Sequence, residues 1–154
     1  MYAGRVQAGL TQLGVDVRIG SRVPAYSTAV GQAILAWMPR DAQLQVLRGQ
    51  PLLKLTETTI TDLDALLARL DQVRDMGYAL SNQETVAGLY VLAVPVLDID
   101  GTPVAALSVA APVHRGSLEQ FKDNALEAVL AAARQLSKSL QATGGYAQRP
   151  GRQH

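Results

Sequence analysis

The run Gly88-Leu89-Tyr90-Val91-Leu92-Ala93-Val94-Pro95-Val96-Leu97, followed by Asp98-Ile99-Asp100-Gly101 and then by Thr102–Ala111, reads as a β-hairpin. Both arms are rich in Val and Leu, and the Asp-Gly pair supplies the backbone freedom that a tight reversal needs. Asp98 and Asp100 resemble paired carboxylates, but turn chemistry accounts for both, since Asp side chains bond their own backbone at reversals. Outward from the hairpin, Tyr78–Asn82 reads as a further strand. The segment Tyr2–Ile19, with glycines at positions 4, 9 and 14, reads as one or two strands with turns. It begins almost at Met1, with nothing ahead of it to pair or cap.

The remaining pattern is helical. Ser27 and Thr28 are placed to cap a helix from Ala29 to about Trp37, in which small Ala29, Gly31, Ala33 and Ala36 allow close approach to a sheet. Pro39 ends it. Asp41 is expected to cap a short second helix closed by Gly49 and Pro51. A third helix is expected with Thr61 as N-cap and Asp62 and Asp64 at the positive end of its dipole. Leu63, Leu66, Leu67, Leu70 and Val73 would form its buried face, Arg69, Asp71 and Arg74 would lie elsewhere, and Gly77 would stop it. Ser117 and Gln120 form a capping box for a last helix whose apolar face is Leu118, Phe121, Leu126, Val129, Leu130, Ala133 and Leu136. Helices packed on a mainly antiparallel sheet make an α+β domain. The stretch from 142 to 154 lacks apolar periodicity and is expected to be a disordered tail.

At 154 residues the chain is one domain's worth, able to bury about 68–70% of its unfolded surface. It has no cysteine, so disulfides and thiolate metal sites are excluded, in keeping with a reducing cytoplasm. A net charge of +1 lacks the basic footprint of a nucleic-acid-binding domain. No apolar run approaches the roughly 20 residues that span a bilayer, and no signal peptide is legible.

Catalytic chemistry finds little support. His114 and His154 are the only histidines, too few and too far apart for a metal site. Ser108 has no base nearer in sequence than His114, which reads as a solvent-facing loop residue. Neither a phosphate-binding loop nor a dinucleotide fingerprint is present. No catalytic residue, metal or cofactor is expected. Glu84 is an isolated acid in an apolar stretch, open to a role at a site or to bonding nearby backbone at a strand entrance. What remains is a helix start able to bind an anion, at Ala29 and its successors, and strand positions of one parity: Leu89 and Val91 on one strand, Ser108 and Ala110 on the next. On periodicity alone these positions read first as ordinary core packing.

Longer strings carry a resemblance. Gly20-Ser21-Arg22-Val23-Pro24-Ala25-Tyr26-Ser27-Thr28-Ala29-Val30-Gly31-Gln32-Ala33-Ile34-Leu35-Ala36 resembles the approach to the first effector-domain helix of IclR-type transcriptional regulators. Thr56-Glu57-Thr58-Thr59-Ile60-Thr61 resembles the family's threonine-rich lead into its next long helix. Val73–Ala79 with Gln83-Glu84 and Gly88-Leu89, and Ala93–Val96 through Gly101 to Val104–Val109, complete a likeness running from about Tyr2 to Leu140.

The resemblance implies a GAF-like effector domain over residues 1–141, binding a small organic acid and reporting to a winged helix-turn-helix on its N-terminal side. It also implies homodimers or homotetramers and control of catabolic genes. The winged helix, the linker helix and the family's opening strand are not legible here, so DNA recognition would need the absent N-terminal domain. Position by position, the resemblance implies that the amides of Ala29 and Val30 hold a carboxylate. An aspartate expected in the pocket is replaced by Ser81, a cysteine by Val91, and of two serines Ser108 is kept while the other becomes Ala110. The altered pocket suits a flatter or longer ligand than glyoxylate or pyruvate. Arg22-Val23-Pro24-Ala25-Tyr26 is similar to the subgroup that regulates protocatechuate, 4-hydroxybenzoate and β-ketoadipate metabolism, implying an aromatic acid or its ring-opened dicarboxylate. Arg18 and Arg22 are candidates for a second anionic contact or for solvated roles. The competing readings are a stand-alone GAF-like binding protein, an effector domain for keto acids, and a hydrolase or isomerase on the same sheet.

Overall fold

The computed structural model describes residues 1–3 and 19–143. The strand expectation for Tyr2–Ile19 and the tail beyond Thr143 lie mostly outside them. Tyr2 nevertheless has a partner: its N–H donates to Ser21 O and its carbonyl accepts from Gly20 N. In chain order the elements are α1 (Ala29–Leu35), α2 (Arg40–Arg48), α3 (Leu63–Met76), β1 (Ala79–Asn82), β2 (Leu89–Leu97), β3 (Pro103–Pro112), a 3-10 turn (Val113–Arg115) and α4 (Leu118–Ala142). The three strands form one antiparallel sheet in the order β1-β2-β3.

The hairpin forms as its turn chemistry requires. Gly101 takes φ 81°, its N–H donates to Asp98 O, and Thr102 O accepts from Asp98 N. Asp98 and Asp100 accept from Ile99 N and Thr102 N through their carboxylates. The bonds from Thr102 hold the Asp100 carboxyl below its ordinary range.

Strand alternation gives the sheet two packed faces. On one, Leu92, Val94 and Val96 meet Val129 and Ala133 of α4, with Phe121, Leu126 and Leu130 alongside. Tyr90 stacks on Phe121 with ring centroids 5.9 Å apart. Ser117 and Gln120 close both arms of the capping box that starts α4. Leu136 does not join this face and is 45% exposed. On the other face α1 lies over β2 and β3, and α3 covers α1 through Leu66, Leu70 and Val73. Ala79 and Ala93 of the sheet and Ala29, Ala33 and Ala36 at the helix are all buried, so helix and sheet meet through small side chains.

Several helix boundaries differ from the sequence expectation. The α1 helix ends at Leu35, with Thr28 as N-cap accepting from Gly31 N. Gly31 faces the Ala25 backbone rather than the sheet, and a Cβ there would overlap the Ala25 carbonyl. The N-cap of α2 is Pro39, with Asp41 inside the first turn. In α3 the cap is Asp62, not Thr61, because the Asp62 carboxylate reaches Ala65 N at 2.8 Å. Gly77 stops α3 in the left-handed conformation, its N–H donating to Val73 O.

Candidate functional site

The register of the sheet gathers the strand candidates. Ser81, Val91 and Ala110 stand directly opposite one another across the three strands. The next row toward the hairpin is Ala79, Ala93 and Ser108, and Leu89 opposes Pro112 in the row on the other side. Residues paired in this way share a face. It is the α1 face, since Ala79, Ala93 and Val91 pack in the same cluster as Ala29 and Val30. Ala29 and Ser81 are buried, Val30, Leu89, Val91 and Ser108 are half-buried, and Ala110 is exposed. Thr28 Oγ1 caps Gly31 N, and among the described residues no side chain accepts from the amides of Ala29 and Val30 at the helix start.

Beneath that start lies a buried polar network. Glu84 is 4% exposed, and Arg69 Nη1 donates to its Oε1 at 2.7 Å. Gln32 Nε2 donates to Tyr26 O at 2.9 Å and to Glu84 Oε2 at 3.4 Å. Ser81 Oγ accepts from Glu84 N, and Thr85 Oγ1 donates to Ser27 O. Two buried oxygens, Ser27 Oγ and Gln32 Oε1, have no partner among the described residues. Exchanging the Gln32 amide ends would set its oxygen against Tyr26 O and the Glu84 carboxylate, so the orphaned oxygen is fixed by its neighbours. Buried acceptors of this kind are costly until a donor reaches them.

The loop carrying Glu84 is tied down from the threonine-rich stretch. Thr58, Thr56 and Thr59 donate their hydroxyls to the carbonyls of Asn82, Gln83 and Glu84 in turn, at 2.9, 2.6 and 2.6 Å. Gln83 takes φ 61°, a conformation uncommon for a non-glycine residue, and its side-chain oxygen accepts from Gly88 N. The site thus rests on an over-determined loop.

Sequence reasoning missed parts of this arrangement. Arg69 was expected away from the buried face of α3, yet it turns inward to Glu84. Glu84 stands out in the sequence as an isolated acid open to a role at a site or to backbone bonding, but its partner Arg69, fifteen residues upstream, leaves no local trace. Nothing in periodicity marks Ser27 or Gln32 as unsatisfied. His114 is exposed, Arg22 is exposed, and Arg18 lies outside the described residues. Among the described residues no group of His, Asp or Glu is placed to hold a metal ion.

The chain matches, over residues 2–138, the family described as bacterial transcriptional regulator IclR C-terminal. The chain belongs to the IclR family. It is 47% identical over 106 residues to the HTH-type transcriptional regulator KdgR of Escherichia coli K12, covering 69% of this chain and 40% of that protein. It is 36% identical over 141 residues to the Pca regulon regulatory protein of Pseudomonas putida, covering 91% of this chain and 48% of the relative. The chain therefore spans less than half the length of these curated relatives. Among solved structures it resembles the inducer-binding domain of a PobR double mutant from Acinetobacter in complex with 3-hydroxybenzoic acid. The TM-score is 0.74 with 33% identity, over 84% of this chain and 76% of that one. These relatives are named as transcription factors and regulators, not enzymes, and the α+β domain described above is an IclR-type effector domain.

Proposed function

We propose that this IclR-type domain senses a small organic acid held between the start of α1 and the sheet face bearing Ser81, Leu89, Val91, Ser108 and Ala110. One observation carries the reading: Ser81, Val91 and Ala110 form a single cross-strand row, with Ser108 and Leu89 in the flanking rows, on the face that α1 covers. The uncapped amides of Ala29 and Val30 suit a carboxylate. Val91 and Ala110 give an apolar wall, and the orphaned oxygens of Ser27 and Gln32 favour a ligand carrying a hydrogen-bond donor such as a hydroxyl. An aromatic hydroxy acid meets all of these demands, and its ring-cleavage dicarboxylate meets those of charge and length, better than a two- or three-carbon keto acid. The 3-hydroxybenzoic acid complex of the PobR relative supports this class. By analogy with its relatives, residues 1–141 act within a cytoplasmic homodimer or homotetramer, and effector binding biases an N-terminal winged helix-turn-helix on DNA. That control requires unequal effector affinity for two states of the assembly.

A thermal-shift screen against protocatechuate, 4-hydroxybenzoate and β-ketoadipate, with glyoxylate and pyruvate as the contrasting set, tests the reading. A ligand at a hundred times its dissociation constant adds about 2.7 kcal/mol of stability. Response to the first set alone is expected, and response to the second alone would restore the keto-acid reading. Ser108→Val is expected to weaken binding by about 1–2 kcal/mol, and unchanged affinity would remove Ser108 from the site.

A further inference from the structure

The opposite end of α1 carries a second concave feature. A groove of about 410 Å³ lies where the turn after α1 meets the start of α2 and the last turns of α3, lined by Trp37, Pro39, Arg40, Gln43, Asp71 and Arg74 among others. That volume is within the roughly 300–1,000 Å³ of small-molecule sites. Its floor is fixed: Gln43 is 4% exposed, donates through Nε2 to Leu35 O and Met38 O, and accepts from Arg40 Nη1.

The charges in the groove do not balance. Two guanidinium groups, Arg40 and Arg74, face one carboxylate, Asp71, which is taken by Arg40 Nη2 at 2.6 Å. Arg74 has no carboxylate partner among the described residues. Its guanidinium carbon lies 5.1 Å from the centre of the Trp37 ring. The cation–π contact holds the guanidinium at the groove, and its N–H groups have no acceptor among the described residues, so they are available to a carboxylate. The start of α2 lies on the same wall, with Pro39 as an N-cap that offers no side-chain acceptor and Asp41 in the first turn offsetting the positive helix end.

We infer that this groove is a second binding site, for a small organic carboxylate, with Arg74 as its principal anchor, Arg40 as a supporting cation and the Met38–Pro39 surface against the carbon skeleton. The inference stands apart from the effector reading above, since no residue is shared. The seven residues of α1 separate the two sites by about 10 Å at 1.5 Å per residue.

Trp37 is the only tryptophan in the chain, so the fluorescence comes from a residue that lines this groove. The test titrates the whole chain with glutarate, which does not absorb with tryptophan, against sodium chloride at matched ionic strength. Trp37 fluorescence is followed together with the NMR resonance of its indole N–H. A saturable change with glutarate and none with chloride is expected. The midpoint should rise at least tenfold in Arg74→Gln, rise less in Arg40→Gln, and stay put in Ser108→Val. The indole resonance keeps the test readable where Arg74→Gln alters the starting fluorescence. No saturable change overturns the site, as does an identical midpoint in Arg74→Gln. A change that tracks protein concentration instead of glutarate would assign the groove to contact between copies and overturn it equally.

Discussion

On the α4 face of the sheet, Leu92, Val94 and Val96 meet Val129 and Ala133, and no charged side chain among the described residues is buried with them. On the α1 face, Ser27, Gln32, Ser81 and Glu84 are buried among alanines, and two of their oxygens lack a donor. The buried residues of the α4 face are all aliphatic, the arrangement that favours stability. Where α1 meets the sheet the side chains are small, with Leu47, Leu66 and Leu70 buried elsewhere in the same cluster, and polar groups are buried whose desolvation is incompletely offset. A protein keeps such a face at a cost when something else completes it. The contrast supports the proposed placement of recognition on the α1 face, with structural support on the α4 face.

The contrast is open to direct attack. The largest effect is expected for Arg69→Met, which leaves Glu84 buried without its cation and should destabilise the domain by about 3–4 kcal/mol in urea unfolding. Arg69→Met combined with Glu84→Leu should recover much of that loss. A double variant as unstable as the single one would show that burial of the pair, and not its charge, is what matters. Leu92→Ala should cost about 3 kcal/mol through the cavity it opens against α4, with no change in effector affinity beyond what stability explains. Selective loss of binding in that variant would dissolve the division between the faces. Gly31→Ala forces a Cβ into the Ala25 backbone and should cost about 2 kcal/mol by thermal melting, while shifting the helix start that the effector reading depends on. The smallest change is expected for Ser27→Ala. Deleting an unpartnered hydroxyl should leave unliganded stability within about 0.5 kcal/mol, yet weaken an effector that donates to it. A loss above 1 kcal/mol without ligand would mean that the hydroxyl is already satisfied.

Much of the fold was legible because its signals are local. The Asp100-Gly101 turn, the Ser117–Gln120 capping box and the Gly77 stop each need only a few residues to act. Boundaries were less so: Thr61 and Asp62 are both good N-caps, and only the reach of a carboxylate to Ala65 N separates them. Leu136 shows the same limit, since it keeps helical spacing but lies beyond the stretch of α4 that the sheet covers. For the site, strand parity put Leu89 with Val91 and Ser108 with Ala110, while the cross-strand row joining Ser81 to Val91 and Ala110 depends on register, which no single strand encodes. The Arg69–Glu84 pair and the groove at Trp37 arise where segments remote in sequence meet. No periodicity reports on that.

The three threonine hydroxyls that take the carbonyls of Asn82, Gln83 and Glu84 have a mechanical consequence. They lash the loop between β1 and β2 to the lead into α3, so neither stretch can open without the other. In hydrogen-exchange terms the two should form one cooperative unit, with amides around Thr56–Thr59 and Gln83–Glu84 opening at a common rate. A molecule that quiets the loop would therefore quiet the start of α3 as well, extending its influence to a helix remote from the strand face without any rearrangement of the backbone.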